Sequence, residues 1–252
     1  MVASPPPVSA LLDLGGLVAV VTGASGNIGA GIARRLHEAG ASVVVHGRRD
    51  APVVATELDE RVAPVTGDVE RDAAAICAAA VEAFGRLDVV VNNAGIQPVA
   101  PLMELGSEEV AEMLRINVAG VAAMTREAAA RMPSGGAIVN IGSIEGLQPA
   151  VLHSHYAASK AAVIMHTRAA ALELGPQGIR VNCVSPGLID APGFEEAWPA
   201  GVARWRAAAP LERLGTPFDV ADAVLFLVSP AARWVSGANL VVDGGVLAHN
   251  TW

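Results

Sequence analysis

One tyrosine and one lysine are the residues of this sequence best suited to proton chemistry. Tyr156 is the single tyrosine and Lys160 the single lysine, since every other basic side chain apart from histidine is an arginine. They lie four residues apart in a predicted helix over 154–174, and residues at that spacing share one helix face. A nearby ammonium lowers the pKa of a phenol from its usual value of about 10. The pair therefore predicts a proton donor or acceptor that works near neutral pH, the alternative being a chance surface pair.

A glycine-rich turn, 22–29, follows the first predicted strand and leads directly into a predicted helix. Glycines allow a sharp turn and let backbone N–H groups approach a pyrophosphate, to which the helix N-terminus adds partial positive charge. Any tight strand-to-helix turn can use glycine, but the position after the first strand of a βαβ unit favours dinucleotide binding. The residues expected to contact the cofactor here are Gly23, Ser25, Asn27, Ile28 and Gly29.

The end of the second predicted strand carries two arginines where a dinucleotide fold that binds NAD(H) would carry an acid. Arg48 and Arg49 precede the first carboxylate, Asp50. A guanidinium donates bidentately to phosphate, whereas a carboxylate at this place binds the ribose 2′-hydroxyl. The arginines favour NADP(H), with NAD(H) as the alternative if they are simply solvated surface residues.

The alternation of apolar runs with amphipathic stretches predicts a doubly wound α/β fold of the Rossmann type. Strands that are apolar throughout and separated by helices indicate a six- to seven-stranded parallel sheet covered by helices on both faces. Strands are predicted at 17–22, 42–46, 62–66, 87–91, 137–141, 179–184 and 239–242. Helices are predicted at 27–39, 70–84, 107–132, 154–174 and 217–229.

The chain is predicted to hold one domain, 14–252, that both binds the dinucleotide and carries the catalytic residues. A flexible tail is predicted at 1–13, where neither a signal peptide nor a regular element is indicated. Two stretches, 144–153 and 188–210, fit no element well, and three prolines interrupt a weak helical pattern in the second. Long irregular segments in compact α/β domains are usually functional loops, so 188–210 is predicted to be a substrate lid.

Seven motifs occur along the chain in the order that is typical of the short-chain dehydrogenase/reductase family, and the sequence resembles the single-domain branch of that family. The resemblance extends from Leu14 to Gly245, and although each motif is weak, the ordered set is specific. Ser143 stands thirteen residues before Tyr156, as the family requires. The motifs are the turn at 22–29, the segments 67–69 and 92–95, Asn117, Ser143 with Tyr156 and Lys160, 186–187, and 242–245.

The resemblance implies a role for each of four catalytic residues. Tyr156 would exchange a proton with the substrate oxygen, and Ser143 would hydrogen-bond the same oxygen. Lys160 would lower the phenol pKa and bind the nicotinamide ribose, and Asn117 would hold a water that links Lys160 to solvent. Taken singly, Ser143 could instead be a turn residue and Asn117 a core amide that bends a helix.

The resemblance also extends the set of cofactor contacts. Asp68 and Val69 would hold the adenine, although Asp68 could instead cap the following helix. Tyr156 and Lys160 would contact the cofactor as well as the substrate. The remaining expected contacts are Asn93, Ala94, Gly95, Pro186, Gly187 and Ile189.

The sequence departs from the family pattern at two positions. Asn27 stands where the middle glycine of the loop is usual, and Asn tolerates left-handed backbone better than other non-glycine residues. Ala191 stands where the family commonly has a threonine that touches the cofactor, so one hydrogen bond would be missing. The four-residue spacing of Tyr156 and Lys160 argues against the enoyl-reductase branch, which separates the pair more widely.

The two irregular stretches are expected to select the substrate. Glu145 and His153 flank the catalytic serine and tyrosine and could bind substrate hydroxyls or only close the loop. Phe194 and Trp198, with Trp205 and Trp252, predict an apolar or cyclic substrate under an aromatic lid, or simply pack the lid onto the body. A cyclic ketone, a sugar, a steroid and an acyl thioester all remain open as substrates.

Composition excludes several classes of protein. A formal net charge of −8 without a basic cluster argues against nucleic-acid binding. No run approaches the ~20 apolar residues of a membrane helix, so no membrane association is expected. Cys77 and Cys183 form neither a disulfide framework nor a metal motif, which indicates a cytoplasmic protein without a bound metal. Alanine-rich helices at 107–132 and 154–174, with the resemblance, predict a homotetramer or a dimer.

Together these features predict an NADP(H)-preferring oxidoreductase that interconverts a secondary alcohol and a ketone. One alternative is a protein of the same fold that binds the nucleotide without turnover. Another alternative is an epimerase or dehydratase of the same fold. Such enzymes usually carry an additional substrate domain, for which this chain is short.

Overall fold

A seven-stranded parallel sheet forms the centre of the molecule, in the strand order β3-β2-β1-β4-β5-β6-β7. The computed structural model describes residues 6–50, 54–58, 60–133 and 135–248. The observed sheet and its helices confirm the predicted doubly wound α/β fold of the Rossmann type. The strands are β1 (Val18–Val21), β2 (Ser42–Gly47), β3 (Val62–Thr66), β4 (Val89–Asn92), β5 (Gly136–Ile141), β6 (Ile179–Pro186) and β7 (Asn239–Val242).

Helices cover both faces of the sheet. Successive side chains of β1 alternate between two apolar cores: Ala19 and Val21 pack on the side of α1 and α9, whereas Val18 and Val20 pack on the side of α3 and α5. This is why the strand reads as a continuous apolar run. The helices are α1 (Asn27–Glu38), α2 (Val54–Glu57), α3 (Ala73–Phe84), α4 (Ser107–Leu114), α5 (Gly120–Ala129), α6 (Ser154–Leu174), α7 (Phe194–Ala197), α8 (Pro199–Ala208) and α9 (Pro217–Val228).

The strand order reverses between β1 and β4, which are neighbours in the sheet. The chain leaves β1 toward β2 on one side and leaves β4 toward β5 on the other, which opens a crevice at the carboxyl ends of the two strands. Ligands of open α/β sheets bind in such crevices. The glycine-rich turn after β1 and the segment 92–95 after β4 both border it.

The predicted helix over 107–132 is observed as two α-helices joined without a break by a π-helical turn. Between α4 and α5, residues Arg115–Ala119 form a π-helical turn that contains Asn117. Single π turns inside α-helices are frequent at functional sites, and periodicity alone does not reveal them because the apolar face continues through the bulge. No described helix is both long and apolar enough to cross a membrane.

The segment predicted as an irregular lid holds two short helices, α7 and α8. Pro199 occupies the first turn of α8, where the missing N–H costs no hydrogen bond. The proline that we read as an interruption therefore marks a helix start. In the predicted tail, residues 1–5 lie outside the described residues. Val8–Ala10 form a 3₁₀ turn, and the Leu11 carbonyl accepts a hydrogen bond from the Ala231 N–H.

Candidate active site

Ser143, Tyr156 and Lys160 converge beside the carboxyl end of β5. Ser143 follows that strand and caps the 3₁₀ turn Ile144–Gly146, its Oγ accepting a hydrogen bond of 3.1 Å from the Glu145 N–H. Tyr156 and Lys160 lie on α6 and are both buried. The Glu145 N–H occupies an acceptor position of the serine oxygen, so the hydroxyl proton remains free to be donated into the site.

The protonation of Tyr156 differs from the sequence-based expectation. Burial raises the pKa of Tyr156 to about 12, with a smaller rise from the Glu145 carboxylate, and a hydrogen bond from Ser143 opposes the rise. The expected lowering by Lys160 is not seen because the ammonium is directed elsewhere. Its Nζ lies 5.6 Å from the centroid of the phenol ring and donates a 2.8 Å hydrogen bond to the Ile141 carbonyl. The phenol is therefore protonated at neutral pH, the form in which it donates a proton.

Lys160 is a buried cation in a largely apolar setting. Burial lowers the pKa of Lys160 to about 8, so the ammonium is partly deprotonated only slightly above neutral pH. A compact, easily titrated ammonium differs in this respect from arginine, which stays charged at any accessible pH. An arginine at this position would keep its charge but present a wider planar group.

Asn117 lies in the π-helical turn and is fully engaged with the chain. Its Nδ2 donates to the Ile96 carbonyl, and its Oδ1 accepts from the Ile96 N–H, both at 2.9 Å. Nδ2 also lies 3.1 Å from Ser159 Oγ. The side chain thus ties α4 and α6 to the segment after β4, the structural role that the sequence left open. Gly95 allows this approach, since a Cβ there would lie 3.0 Å from Asn117 Oδ1 and 3.8 Å from Lys160 Nζ.

The glycine-rich turn has the shape of a cradle for a phosphate group. Gly23 adopts a φ of 65°, and a Cβ on Gly29 would lie 2.2 Å from the Gly23 carbonyl oxygen, so no other residue fits there. Asn27 adopts a φ of 39°, which is the left-handed geometry expected of it. Ser25 and Asn27 are exposed, and Ile28 is half-buried. The backbone at the start of α1 is therefore open to a ligand, and the residues present fit a dinucleotide pyrophosphate.

Thr22 and Asn93 lock the turn to the end of β4. Thr22 Oγ1 accepts hydrogen bonds from the N–H groups of Asn93 and Ala94, both at 3.0 Å, and donates to the Val91 carbonyl at 3.2 Å. The Asn93 amide donates in return to the carbonyls of Thr22 and Gly23. Our residue assignment missed Thr22, although a threonine between an apolar strand and a glycine is a visible signal.

His46 is a second residue that sequence analysis missed. The ring is buried at the end of β2, where Nδ1 accepts from the Gly23 N–H at 3.3 Å and Nε2 donates to the Gly67 carbonyl at 2.9 Å. Its own carbonyl accepts from the Ala24 N–H. Burial lowers the pKa of His46, opposed by its hydrogen bond to Gly67 and by Asp68 and Asp72. A neutral imidazole thus joins the ends of three strands; the signal was a histidine inside an apolar strand.

The residues expected to contact the ribose and the adenine lie near the ends of β2 and β3. The two arginines are exposed, whereas Asp68 is hydrogen-bonded and Val69 is buried. Arg48 and Arg49 are exposed, and within the described part of the chain neither forms an ion pair. Asp68 accepts hydrogen bonds from the N–H groups of Glu70 and Arg71, in the turn before α3, and pairs with Arg115. Burial is the largest single effect on the pKa of Asp68 and raises it, but the hydrogen bonds from Glu70 and Arg71 and the Arg115 pair together outweigh burial and hold the pKa below its usual value. Val69 is buried.

The segment after β6 anchors the lid. A Cβ on Gly187 would lie 2.7 Å from the Trp205 ring, so this glycine lets α8 pack against the sheet. Ile189 is buried and pairs with Gly215 in an isolated parallel bridge. Pro186 ends β6. Trp205 therefore packs the lid onto the body, which is the structural alternative that the sequence left open for it.

The expected substrate residues form two separate groups. Glu145 and His153 contact each other beside Tyr156, with 2.7 Å between His153 Nδ1 and Glu145 Oε2. Phe194 and Trp198 form an edge-to-face pair on the lid, with ring centroids 6.0 Å apart. Trp252, which we expected near the same mouth, lies outside the described residues.

A cavity of about 440 Å³ separates the lid from the glycine-rich turn. It is lined by Asn27, Asp190, Ala191, Pro192, Gly193, Glu195, Glu196, Thr216 and Pro217. Three of these residues are carboxylates, and none is a lysine or an arginine. In the described part of the chain, no group of three or more His, Cys, Asp or Glu residues is placed to hold a metal ion.

Comparison with known proteins assigns the class. A family model described as enoyl-(acyl carrier protein) reductase matches residues 23–247. A cis-4-hydroxycyclohexanecarboxylate dehydrogenase from Sinomonas cyclohexanicum is 43% identical over 92% of this chain and 96% of its own length. An L-rhamnose 1-dehydrogenase (NAD(P)(+)) from Azotobacter vinelandii is 38% identical over 91% of this chain and 96% of its own.

Solved structures agree with these relatives. The crystal structure of a short-chain type dehydrogenase/reductase from Mycobacterium marinum superposes with a TM-score of 0.90 and 35% identity. It covers 96% of this chain and 100% of the other. The chain belongs to the short-chain dehydrogenase/reductase family, and its relatives make it an oxidoreductase that uses a nicotinamide dinucleotide.

Proposed function

We propose that this protein interconverts a secondary alcohol and a ketone, with Tyr156 as the proton donor and acceptor and NADP(H) as the preferred cofactor. The observation that carries the proposal is the convergence of Ser143, Tyr156 and Lys160 at the crevice that the glycine-rich turn borders. The family model carries the name of an enoyl reductase. The four-residue spacing of Tyr156 and Lys160, together with relatives named as a cis-4-hydroxycyclohexanecarboxylate dehydrogenase and an L-rhamnose 1-dehydrogenase, favours the alcohol–ketone reaction.

The residues of the site divide the work of the reaction between them. The nicotinamide, when bound, supplies or accepts the hydride. The protonated phenol of Tyr156 delivers a proton to the oxygen that gains negative charge in reduction, and the Ser143 hydroxyl donates a hydrogen bond to that oxygen. The buried ammonium of Lys160 would bind the nicotinamide ribose, and Asn117 holds α4 and α6 together around it. In the oxidation direction the phenolate form of Tyr156 accepts the proton of the alcohol.

Cofactor binding follows from the open backbone of the turn and the ends of the neighbouring strands. The turn residues from Gly23 to Gly29 would hold the pyrophosphate, while 93–95 and 186–189 would border the nicotinamide half. Asp68 and Val69 lie where the adenine would bind. Arg48 and Arg49, exposed beyond β2, would bind a 2′-phosphate bidentately.

A kinetic experiment tests the reaction. Initial rates with NADPH and NADH against a panel of cyclic and linear ketones should show turnover, faster with NADPH. Tyr156→Phe should then lose at least ~10²-fold in kcat, since it lacks the acid, while NADPH affinity measured by fluorescence stays close to that of the wild type. Retained turnover in Tyr156→Phe would refute the assignment of the proton donor.

A second experiment tests the cofactor preference alone. Arg48→Ala should weaken NADPH binding by about 10-fold, equivalent to about 1.4 kcal/mol, and NADH binding much less. Arg126→Ala, which removes an exposed arginine on α5, is the matched control. Equal losses for both cofactors would show that Arg48 does not bind the 2′-phosphate.

We also propose a homotetrameric or dimeric assembly in the cytoplasm. Leu114, Met165 and Leu172 are exposed on α4 and α6, and a subunit contact would cover them. Cys77 and Cys183 are buried free thiols, which fits a reducing compartment. Light scattering at micromolar concentration should give a multiple of the 25.6 kDa chain, and a monomeric mass would exclude the assembly.

A further inference from the structure

We propose that Glu145 and His153 form a subsite for a second hydroxyl group of the substrate, next to the reacting carbon. The preferred substrates would then be neutral, hydroxylated alcohols such as vicinal diols, rather than alcohols that carry a carboxylate. This inference rests on the proposed alcohol–ketone reaction and specifies its substrate class.

The two side chains form a close and largely buried pair. His153 Nδ1 lies 2.9 Å from one carboxylate oxygen of Glu145 and 2.7 Å from the other. Their side chains are 17% and 16% exposed, so solvent screens the contact little. The pair closes the loop between β5 and α6 and holds the imidazole in one orientation.

The contact with Glu145 decides which nitrogen of the histidine carries the proton. A carboxylate only accepts, so Nδ1 is the donor, and in the neutral ring Nε2 is then an acceptor. Among the described residues Nε2 has no hydrogen-bond partner, and the side chain is part-exposed, so this nitrogen is available to a ligand. An accepting nitrogen held in a fixed direction matches a hydroxyl group that donates.

The pair lies close to the place where the reacting oxygen must bind. The centroids of the His153 and Tyr156 rings are 5.9 Å apart in an edge-to-face arrangement. Glu145 donates its backbone N–H to the oxygen of Ser143. A substrate whose carbinol oxygen contacts Ser143 and Tyr156 therefore places the neighbouring carbon within reach of His153.

The charge around the site disfavours an anionic substrate. Burial is the main cause of the raised pKa of Tyr156, and the negative charge of Glu145 beside it adds a smaller rise. The cavity under the lid carries Asp190, Glu195 and Glu196, of which Glu195 is paired with Arg206. A carboxylate on the substrate would be repelled by these like charges. The substrate preferred here should therefore differ from the one named for the Sinomonas relative, which carries a carboxylate.

The test compares three alcohols that share a six-membered ring: cyclohexane-1,2-diol, cyclohexanol and cis-4-hydroxycyclohexanecarboxylate. With NADP⁺ as the oxidant, the wild type should show a kcat/KM for the diol at least about 10-fold above that for each of the others, which corresponds to one hydrogen bond. Cis and trans diols are assayed separately, and the faster isomer is used.

Two variants separate the two side chains. His153→Phe keeps an aromatic ring but removes the acceptor, so it should reduce the diol-to-cyclohexanol ratio of kcat/KM to near 1. Glu145→Gln removes the charge and should raise the relative kcat/KM of the carboxylate by about 3- to 10-fold. Glu82→Gln makes the same chemical change on the exposed face of α3 and is expected to leave all three ratios as in the wild type.

The possible outcomes distinguish a failure of the hydroxyl subsite from a failure of the proposed alcohol–ketone reaction. Equal kcat/KM for the diol and cyclohexanol in the wild type would leave the oxidoreductase intact and overturn the subsite. If His153→Phe lowers the kcat/KM for the diol and for cyclohexanol by the same factor, the Glu145–His153 pair is only a structural contact. That result would also overturn the subsite. No turnover of any of the three alcohols, with NADP⁺ binding retained, would overturn the proposed reaction and the inference together.

Discussion

The cofactor side and the substrate side of the crevice are held together by different kinds of contact. On the cofactor side, the side chains of Thr22, His46 and Asn93 hydrogen-bond to backbone groups at the ends of β1, β3 and β4. On the substrate side, the contacts join one side chain to another, as in the pairs Glu145–His153 and Glu195–Arg206. The second pair is exposed to solvent.

The difference shows which half of the site can change without damage to the fold. Removing one partner of a buried backbone contact leaves an unsatisfied polar group, whereas an exposed ion pair contributes little to stability. Relatives named for a hydroxycyclohexanecarboxylate and for a sugar align with nearly the whole chain, which fits a fixed cofactor side and a variable substrate side. Variants at four positions test this comparison.

The largest effect is expected from Thr22→Val on the cofactor side. Valine keeps the shape but leaves the Ala94 N–H without its partner, and it removes one of the hydrogen bonds made by the Asn93 N–H and by the Val91 carbonyl. We expect a loss of about 2–3 kcal/mol in the free energy of unfolding, measured by urea denaturation. Thr22→Ser restores the hydroxyl and is the control. A stable Thr22→Val variant would show that the cofactor side is less tightly built than its hydrogen bonds imply.

The next largest effect is expected at His46, which joins the turn to β3. His46→Asn offers an acceptor to Gly23 but does not reach Gly67, and His46→Gln does the reverse. Each should weaken NADPH binding by about 10-fold, measured by fluorescence titration, because the turn is no longer held from β2. Wild-type affinity in both variants would contradict a positioning role for the imidazole.

The same histidine gives a pH dependence with a definite sign. The pKa of His46 is lowered by folding, so below about 6.5 the unfolded chain binds a proton that the folded chain does not, and stability falls as the pH falls. A proton added to Nδ1 of His46 would point at the Gly23 N–H, so two donors would face each other and the hydrogen bond would be lost. The acid loss of stability between pH 6.5 and 5 should be smaller in His46→Asn than in the wild type.

A smaller effect of opposite sign is expected from Lys160→Met at the boundary between the two sides. The pKa of Lys160 falls from 10.5 to about 8 on folding, so the buried charge destabilises the protein at pH 7. Methionine should raise the free energy of unfolding by about 1 kcal/mol while turnover is lost. The gain should shrink as the pH rises from 8 to 10, and a gain independent of pH would exclude the charge as its cause.

The smallest effect is expected from Arg206→Ala, which breaks the exposed ion pair of the lid. The free energy of unfolding should change by less than about 1 kcal/mol, and NADPH affinity should not change. The KM for the alcohol is the quantity expected to move, by about 2- to 3-fold, because α7 is then held less firmly. A stability loss as large as that of Thr22→Val would remove the contrast between the two sides.

Much of the fold was predictable because it follows from local patterns. Short apolar runs mark the strands, so even the part-buried edge strands β3 and β7 were predicted at their observed bounds, and the helix 154–174 also matches α6. The positions of Gly23 and Asn27 likewise follow from backbone conformations that few residues adopt. The prolines of the lid misled the prediction, since a proline at a helix start and one in an interruption look alike in sequence.

The residues of the candidate site could be predicted from the sequence, but their protonation states and hydrogen-bond partners could not. The spacing of Tyr156 and Lys160 places both on one helix face, and that much is local. The π turn at Asn117, the place of His46 between three strand ends, and the high pKa of Tyr156 depend on groups distant in the chain. Burial and long-range hydrogen bonds decide them, and these exist only once the strands are assembled. The sequence alone determined the residue types and the order of the elements, and the tertiary structure decided their protonation and partners.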